Sequence, residues 1–121
     1  MRNAAQIYGN VAKQTASPRE LEASLLLRAA ARFQAIKDSP TKSDREFDDA
    51  LVFNRKLWSI FLTSVTQADN PLPAAIRQNI ANLGLFVMNQ TVTLAAERRP
   101  EGLSSLITIN RELAAGLLGR A

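Results

Sequence analysis

Few side chains in this chain could do chemistry, and their spacing works against most of it. Four carboxylates, Asp44, Glu46, Asp48 and Asp49, crowd one stretch and resemble an acidic cluster. They fall where a helix begins, and helical spacing scatters them around its axis, so their role is to complement the positive end of the helix dipole. Cysteine and histidine are absent altogether. That removes disulfides, thiol nucleophiles, the usual zinc, iron and copper ligand sets, and the side chain that most often serves as general base near neutral pH. No glycine-rich phosphate loop occurs either. The sequence thus predicts no catalytic residue, no cofactor and no metal site, and argues against an enzyme. A reducing cytoplasm fits a cysteine-free chain.

The remaining polar oddities are amides set where leucine would be expected. Asn54 lies between Leu51 and Trp58, and Asn110 between Ile107 and Ala114, each opening a similar string, Asn54-Arg55-Lys56-Leu57 and Asn110-Arg111-Glu112-Leu113. A buried amide left without a partner costs about 1–3 kcal/mol. Either each bonds a loop backbone or the other amide and fixes register, or both face a groove and bond the backbone of a partner. Trp58 reads as core rather than as an exposed hot spot.

The elements that must position these residues are all helical. At 121 residues, 46% apolar and 21% charged, the chain is expected to be a single globular domain over residues 1–121 with a core of four or five helices. No apolar run is long enough for a transmembrane helix, and the N-terminus has no continuous apolar stretch of the secretory kind. Net charge is +4, from 15 basic against 11 acidic residues. The basic residues come in ones and twos interleaved with acids, which argues against direct nucleic-acid binding and for a solvated, mildly basic surface.

Residues 1–16 hold a short helical pattern with Ala4, Ile7, Tyr8 and Val11 on one side, which either docks on the body or stays mobile until a partner arrives. Ser17-Pro18-Arg19-Glu20 is a helix-start signature, and the helix it opens sets Leu21, Leu25, Ala29, Phe33 and Ile36 on one face with Leu26 beside them, Arg28, Arg32 and Glu22 falling in solvent. Ser43-Asp44-Arg45-Glu46 repeats the signature. The helix it opens, to about Gln67, carries a broad apolar arc that includes Phe47, Leu51, Trp58, Ile60, Phe61 and Val65, and such an arc predicts burial against two or more neighbours. Asn70-Pro71-Leu72-Pro73 then makes a rigid elbow: each proline fixes its own φ and pushes the residue before it towards extended geometry. Pro73 suits the first turn of the next helix, and the Asn70 side chain can close the preceding one.

That next helix, to about Ala96, has two apolar stripes. Ile76, Ile80, Leu83, Val87 and Leu94 form one, Ala81, Leu85, Met88 and Val92 the other, with uncharged Gln78, Asn79, Asn82, Asn89 and Thr93 beside them. Such a helix is enclosed on two sides or keeps one stripe for a partner. A last helix follows Glu101-Gly102, with Leu103, Leu106, Ile107, Leu113, Ala114 and Leu117 inward. The expected fold is all-α: one antiparallel bundle of four main helices with a short N-terminal helix.

Three strings in order, ALVFNRKLW, DNPLPAAIRQNIANLGLFV and SLITINRELAAGL, resemble the FlaF family of flagellar biosynthesis regulators of alphaproteobacteria. The similarity runs from about Tyr8 to Leu118 and is least defined over Gln90–Gly102. It implies a small cytoplasmic protein without catalytic activity that makes flagellin available, by positive control of its synthesis and by a chaperone-like role binding it before export. It also implies action alongside FlbT, a second regulator linked to flagellin messenger RNA. The alternatives are an RNA-linked post-transcriptional regulator of flagellin expression, and a structural partner of FlbT that does not bind flagellin. Flagellin's terminal segments are amphipathic helices once assembled, so helix-in-groove docking is the expected mode. The residues expected to meet the partner are Leu85, Met88 and Val92, together with Ile7, Tyr8 and Val11 on an N-terminal helix that covers part of the groove and gives way to flagellin. Asn54, Trp58, Asn70, Pro71, Leu72, Pro73 and Asn110 are expected to be structural.

Overall fold

The computed structural model describes residues 17–39, 41 and 43–119. The N-terminal helix and its Ile7, Tyr8 and Val11 lie outside the described residues. Within them the chain forms four α-helices and no strand: α1 (Pro18–Asp38), α2 (Asp44–Val65), α3 (Ala74–Glu97) and α4 (Leu103–Leu117), with a 3-10 turn over Pro100–Gly102 before α4.

Local chemistry sets the helix starts. Ser17 Oγ accepts a hydrogen bond from the Glu20 N–H at 3.1 Å, and Ser43 Oγ accepts one from the Glu46 N–H at 3.2 Å. Each satisfies a donor that the first turn leaves without an intrahelical acceptor. At the elbow, Asn70 Nδ2 donates to Ser64 O at 3.0 Å and to Ser64 Oγ at 3.1 Å, while its Oδ1 accepts from the Leu72 N–H at 3.0 Å. One side chain thereby closes α2 and holds the turn after it. Pro73 sits just before α3 rather than in its first turn: its ψ of 147° is extended, so the helix begins at Ala74.

The helices pair antiparallel. Lys37 Nζ donates to Ser104 Oγ at 2.7 Å and Arg111 reaches back to Gln34, so α1 and α4 run in opposite directions. Asp48 meets Arg98, and Leu62 lies against Gly84, which gives the same sense to α2 and α3. α1 packs chiefly on α4 and α3 chiefly on α2, with α1 and α2 joining the two pairs. At Gly84 the helices approach so closely that a Cβ would overlap the Leu62 side chain.

The apolar faces differ from the sequence expectation in instructive ways. On α1 the buried line is Ala23, Leu26, Ala29, Ala30, Phe33 and Ile36, while Leu21 is exposed. Ala29, Phe33 and Ile36 of the expected face are thus buried, Leu25 is partly buried, and Ala23 and Ala30 join them. Ile60, expected within the buried arc of α2, is 67% exposed, because no helix among the described residues covers that side. On α3 the seam against α2 is Ile80, Gly84, Val87, Thr91 and Leu94, whereas Ile76 and Leu83 are exposed. The seam therefore keeps Ile80, Val87 and Leu94 of the first stripe and leaves its Ile76 and Leu83 outside.

The two asparagines lie in the core, fully buried, and they bond to each other. Trp58 Nε1 donates to Asn110 Oδ1 at 2.9 Å, and Asn110 Nδ2 donates to Asn54 Oδ1 at 2.7 Å. An indole can only donate, which fixes the orientation of Asn110 and in turn that of Asn54. Asn54 Nδ2 is left buried at the end of this chain of donors without a hydrogen-bonding partner.

Candidate functional site

Because α3 packs chiefly on one neighbour, much of its apolar surface is left outside the core. From Gln78 to Ala96 it carries no charged residue. Val92 is 72% and Leu85 63% exposed, seven residues apart on the same side of the helix. Met88, between them in the same stripe, is partly buried and packed against the core. Phe86 is exposed on the far flank. Val92 borders a groove between α2 and α3 of about 340 Å³, lined by Asp48, Leu51, Val52, Arg55, Thr91, Val92 and Ala95, and Leu85 lies two turns beyond it on the same side of α3. Val52 on α2 and Val92 on α3 form facing apolar walls, and Asp48 and Arg55 supply polar handles at the rim.

The same end of the groove is braced by an ion pair. α3 ends on Arg98, which is in the left-handed conformation (φ 49°, ψ 46°), with its N–H bonded to Leu94 O at 2.7 Å. A side-chain-bearing residue there costs about 1–2 kcal/mol. Its guanidinium forms a two-pronged bond to the Asp48 carboxylate, Nε to Oδ1 at 3.1 Å and Nη2 to Oδ2 at 2.9 Å, pinning the end of α3 to the start of α2. Asp48 thus serves a distant helix end as well as the start of its own.

The Arg98 bond holds the Asp48 carboxyl below the usual carboxylate range. A carboxyl whose pKa is lowered on folding contributes stability above its unfolded-state value, and that contribution is lost as pH falls through the lowered one. The urea midpoint of Asp48→Asn is therefore expected to lie below that of the parent at neutral pH and to converge with it on acidification. Added salt should shrink the gap, since both groups are solvent-accessible. An acid-independent gap would show that the pair contributes by packing alone.

Arg99 pairs with Glu97 at 3.5 Å. Both members of the Arg98-Arg99 pair are engaged with carboxylates, which weakens the case for them as a phosphate-binding pair.

A second concavity lies at the opposite end of the α2–α3 hairpin. It measures about 390 Å³ and is lined by Phe61 and Val65 of α2, Leu72 of the elbow, Ile80 of α3, and Leu113 and Leu117 of α4, with Ser17, Pro18, Arg19 and Glu22 along its rim. Glu22, expected in solvent, is partly buried here, and burial pushes its carboxyl above the usual range despite nearby Arg19. Of the elbow prolines, Pro71 touches this cleft and Pro73 does not.

Of the residues expected at a partner surface, Leu85 and Val92 are exposed, Val92 alone lines the groove, and Met88 is partly buried against the core. Sequence reasoning missed Val52 and Arg55 on the facing wall. No local pattern marks them, since only the register between α2 and α3 sets them in one groove with Val92. Among the described residues there is no helix long and apolar enough to cross a membrane and no cluster of three or more potential metal-binding side chains.

These features define an all-α helical protein with a largely apolar groove between two helices and an apolar cleft at the elbow end. The model of the family described as flagellar protein FlaF matches residues 4–117. The chain belongs to the FlaF family and is a flagellar protein. No curated protein and no solved structure matches it.

Proposed function

We propose that this protein binds flagellin before export, in a chaperone-like role without catalysis, and through that role promotes flagellin synthesis. One observation carries the reading: the uncharged, apolar side that α3 turns to the α2–α3 groove. An amphipathic helix of the client laid along this groove would cover Leu85, Val92 and Val52 with its apolar face and leave its polar face in water. Sequestration of that kind keeps apolar stripes from associating with one another before assembly.

The test is calorimetric titration of the purified chain with monomeric flagellin. Saturable binding is expected, with a negative heat-capacity change from buried apolar surface. Two results would overturn the reading. One is no heat from flagellin alongside binding of the flagellin messenger leader that falls steeply with salt; the other is a complex with FlbT and none with flagellin.

A further inference from the structure

The cleft at the elbow end of the bundle differs from the groove in one respect: the chain itself enters there. Ser17 and Pro18 line its rim, so the sixteen residues before Ser17 are tethered to its edge. From the body side, the wall is almost wholly apolar, formed by Phe61, Val65, Leu72, Ile80, Leu113 and Leu117. On the tethered side, residues 1–16 include the large apolar and aromatic side chains Ile7, Tyr8 and Val11. The family match begins at residue 4 and so takes in most of this segment together with the bundle.

We infer that the elbow-end cleft is the seat of the chain's own residues 4–14, with Ile7, Tyr8 and Val11 set against Leu72, Ile80, Leu113 and Leu117. Position along the chain favours this seat over the α2–α3 groove. Ser17 and Pro18 line the cleft itself, whereas Val52 in the groove wall lies nine residues of α2 beyond Phe61, about 14 Å along the axis. A segment leaving Ser17 meets the cleft first. The tether also favours this occupant over a second copy or a separate partner, since a short linker holds the segment at an effective concentration in the millimolar range. The proposal stands apart from flagellin binding, and its test contains no partner.

The chain has no cysteine, so pairs can be introduced without background. In the full chain, Tyr8→Cys with Leu117→Cys, and separately Val11→Cys with Leu72→Cys, are expected to close an internal disulfide under mild oxidation. Closure should be at least about tenfold faster than in Tyr8→Cys with Val92→Cys. Faster closure to position 92 would move the seat to the groove and overturn the proposal. Equal rates would show no preferred seat, and bonds between chains would assign the cleft to a second copy; both overturn it too. A cysteine-free readout runs alongside. Amides of residues 4–14 are expected to exchange at least about tenfold more slowly in the parent than in Leu72→Asp with Leu117→Asp, with α1 and α2 equally protected in both. Equal exchange of residues 4–14 in the two proteins, over a protected body, would overturn the proposal independently.

Discussion

Leu85→Asp with Val92→Asp is expected to weaken flagellin binding by at least about 100-fold, roughly 2.7 kcal/mol, while leaving the fold intact. Both side chains lie mostly in water in the free protein, so a carboxylate there loses no core contact, and surface changes of this kind fall within about 0.5 kcal/mol of the parent. In a complex, the same carboxylates would be buried against the apolar face of a client helix; α3 offers no cation from Gln78 to Ala96, and Arg55 lines the groove with Val92 but not with Leu85. The measurement is the calorimetric titration repeated on the double variant, with thermal unfolding as the control for folding. Unchanged affinity with a folded protein would remove this face from the binding surface. Met88→Asp makes the contrast: Met88 packs against the core, so that variant is expected to lose stability whatever it does to binding.

The second large effect lies in the core. Trp58→Ala is expected to destabilise the protein by about 3–5 kcal/mol, as removal of a large buried aromatic does. Trp58 is fully buried and meets Phe61 edge to face, ring centres 5.7 Å apart. Its loss also strands Asn110 Oδ1, whose bond from the indole is the first link of the donor chain ending at Asn54. Set against a typical total stability of about 5–15 kcal/mol, such a change brings a small domain near its threshold. Trp58→Phe separates the two parts, because it keeps most of the ring and deletes only the donor. It should cost less than Trp58→Ala and still at least about 1 kcal/mol for the stranded acceptor. Urea unfolding followed by far-ultraviolet circular dichroism gives both values. Equal midpoints for Trp58→Phe and the parent would mean that the indole hydrogen bond adds nothing net.

What could be read in the sequence was what depends on near neighbours in the chain. Ser17 and Ser43 cap helices through atoms three residues away, and Asn70 closes α2 through atoms six residues back, so these roles show in short strings. The asparagines stood out because they interrupt apolar lines, but that they bond to each other depends on the α2–α4 register, which no local string encodes. The Arg98–Asp48 bond joins residues fifty apart and was invisible for the same reason. Periodicity also located apolar stripes without saying what covers them. Ile60, Leu83 and Leu85 are equally apolar in a helical wheel; they are exposed because α2 and α3 have fewer neighbours than their stripes would allow. Gly84 and Thr91 make the opposite case: neither is a large apolar residue, yet both sit in the buried seam, where a small side chain lets the helices touch. The groove needs that seam, so its place was legible only in part, through Val92.

The indole of Trp58 has an optical consequence. It is the sole tryptophan of the chain, out of contact with water and bonded to an amide in the seam of α2 and α4. Its emission therefore reports from one known place. A client helix laid along the outer side of α3 leaves that environment unchanged, whereas any opening of the α2–α4 seam admits water and shifts the light to the red. The protein thus carries its own gauge for separating docking on its surface from rearrangement of its interior.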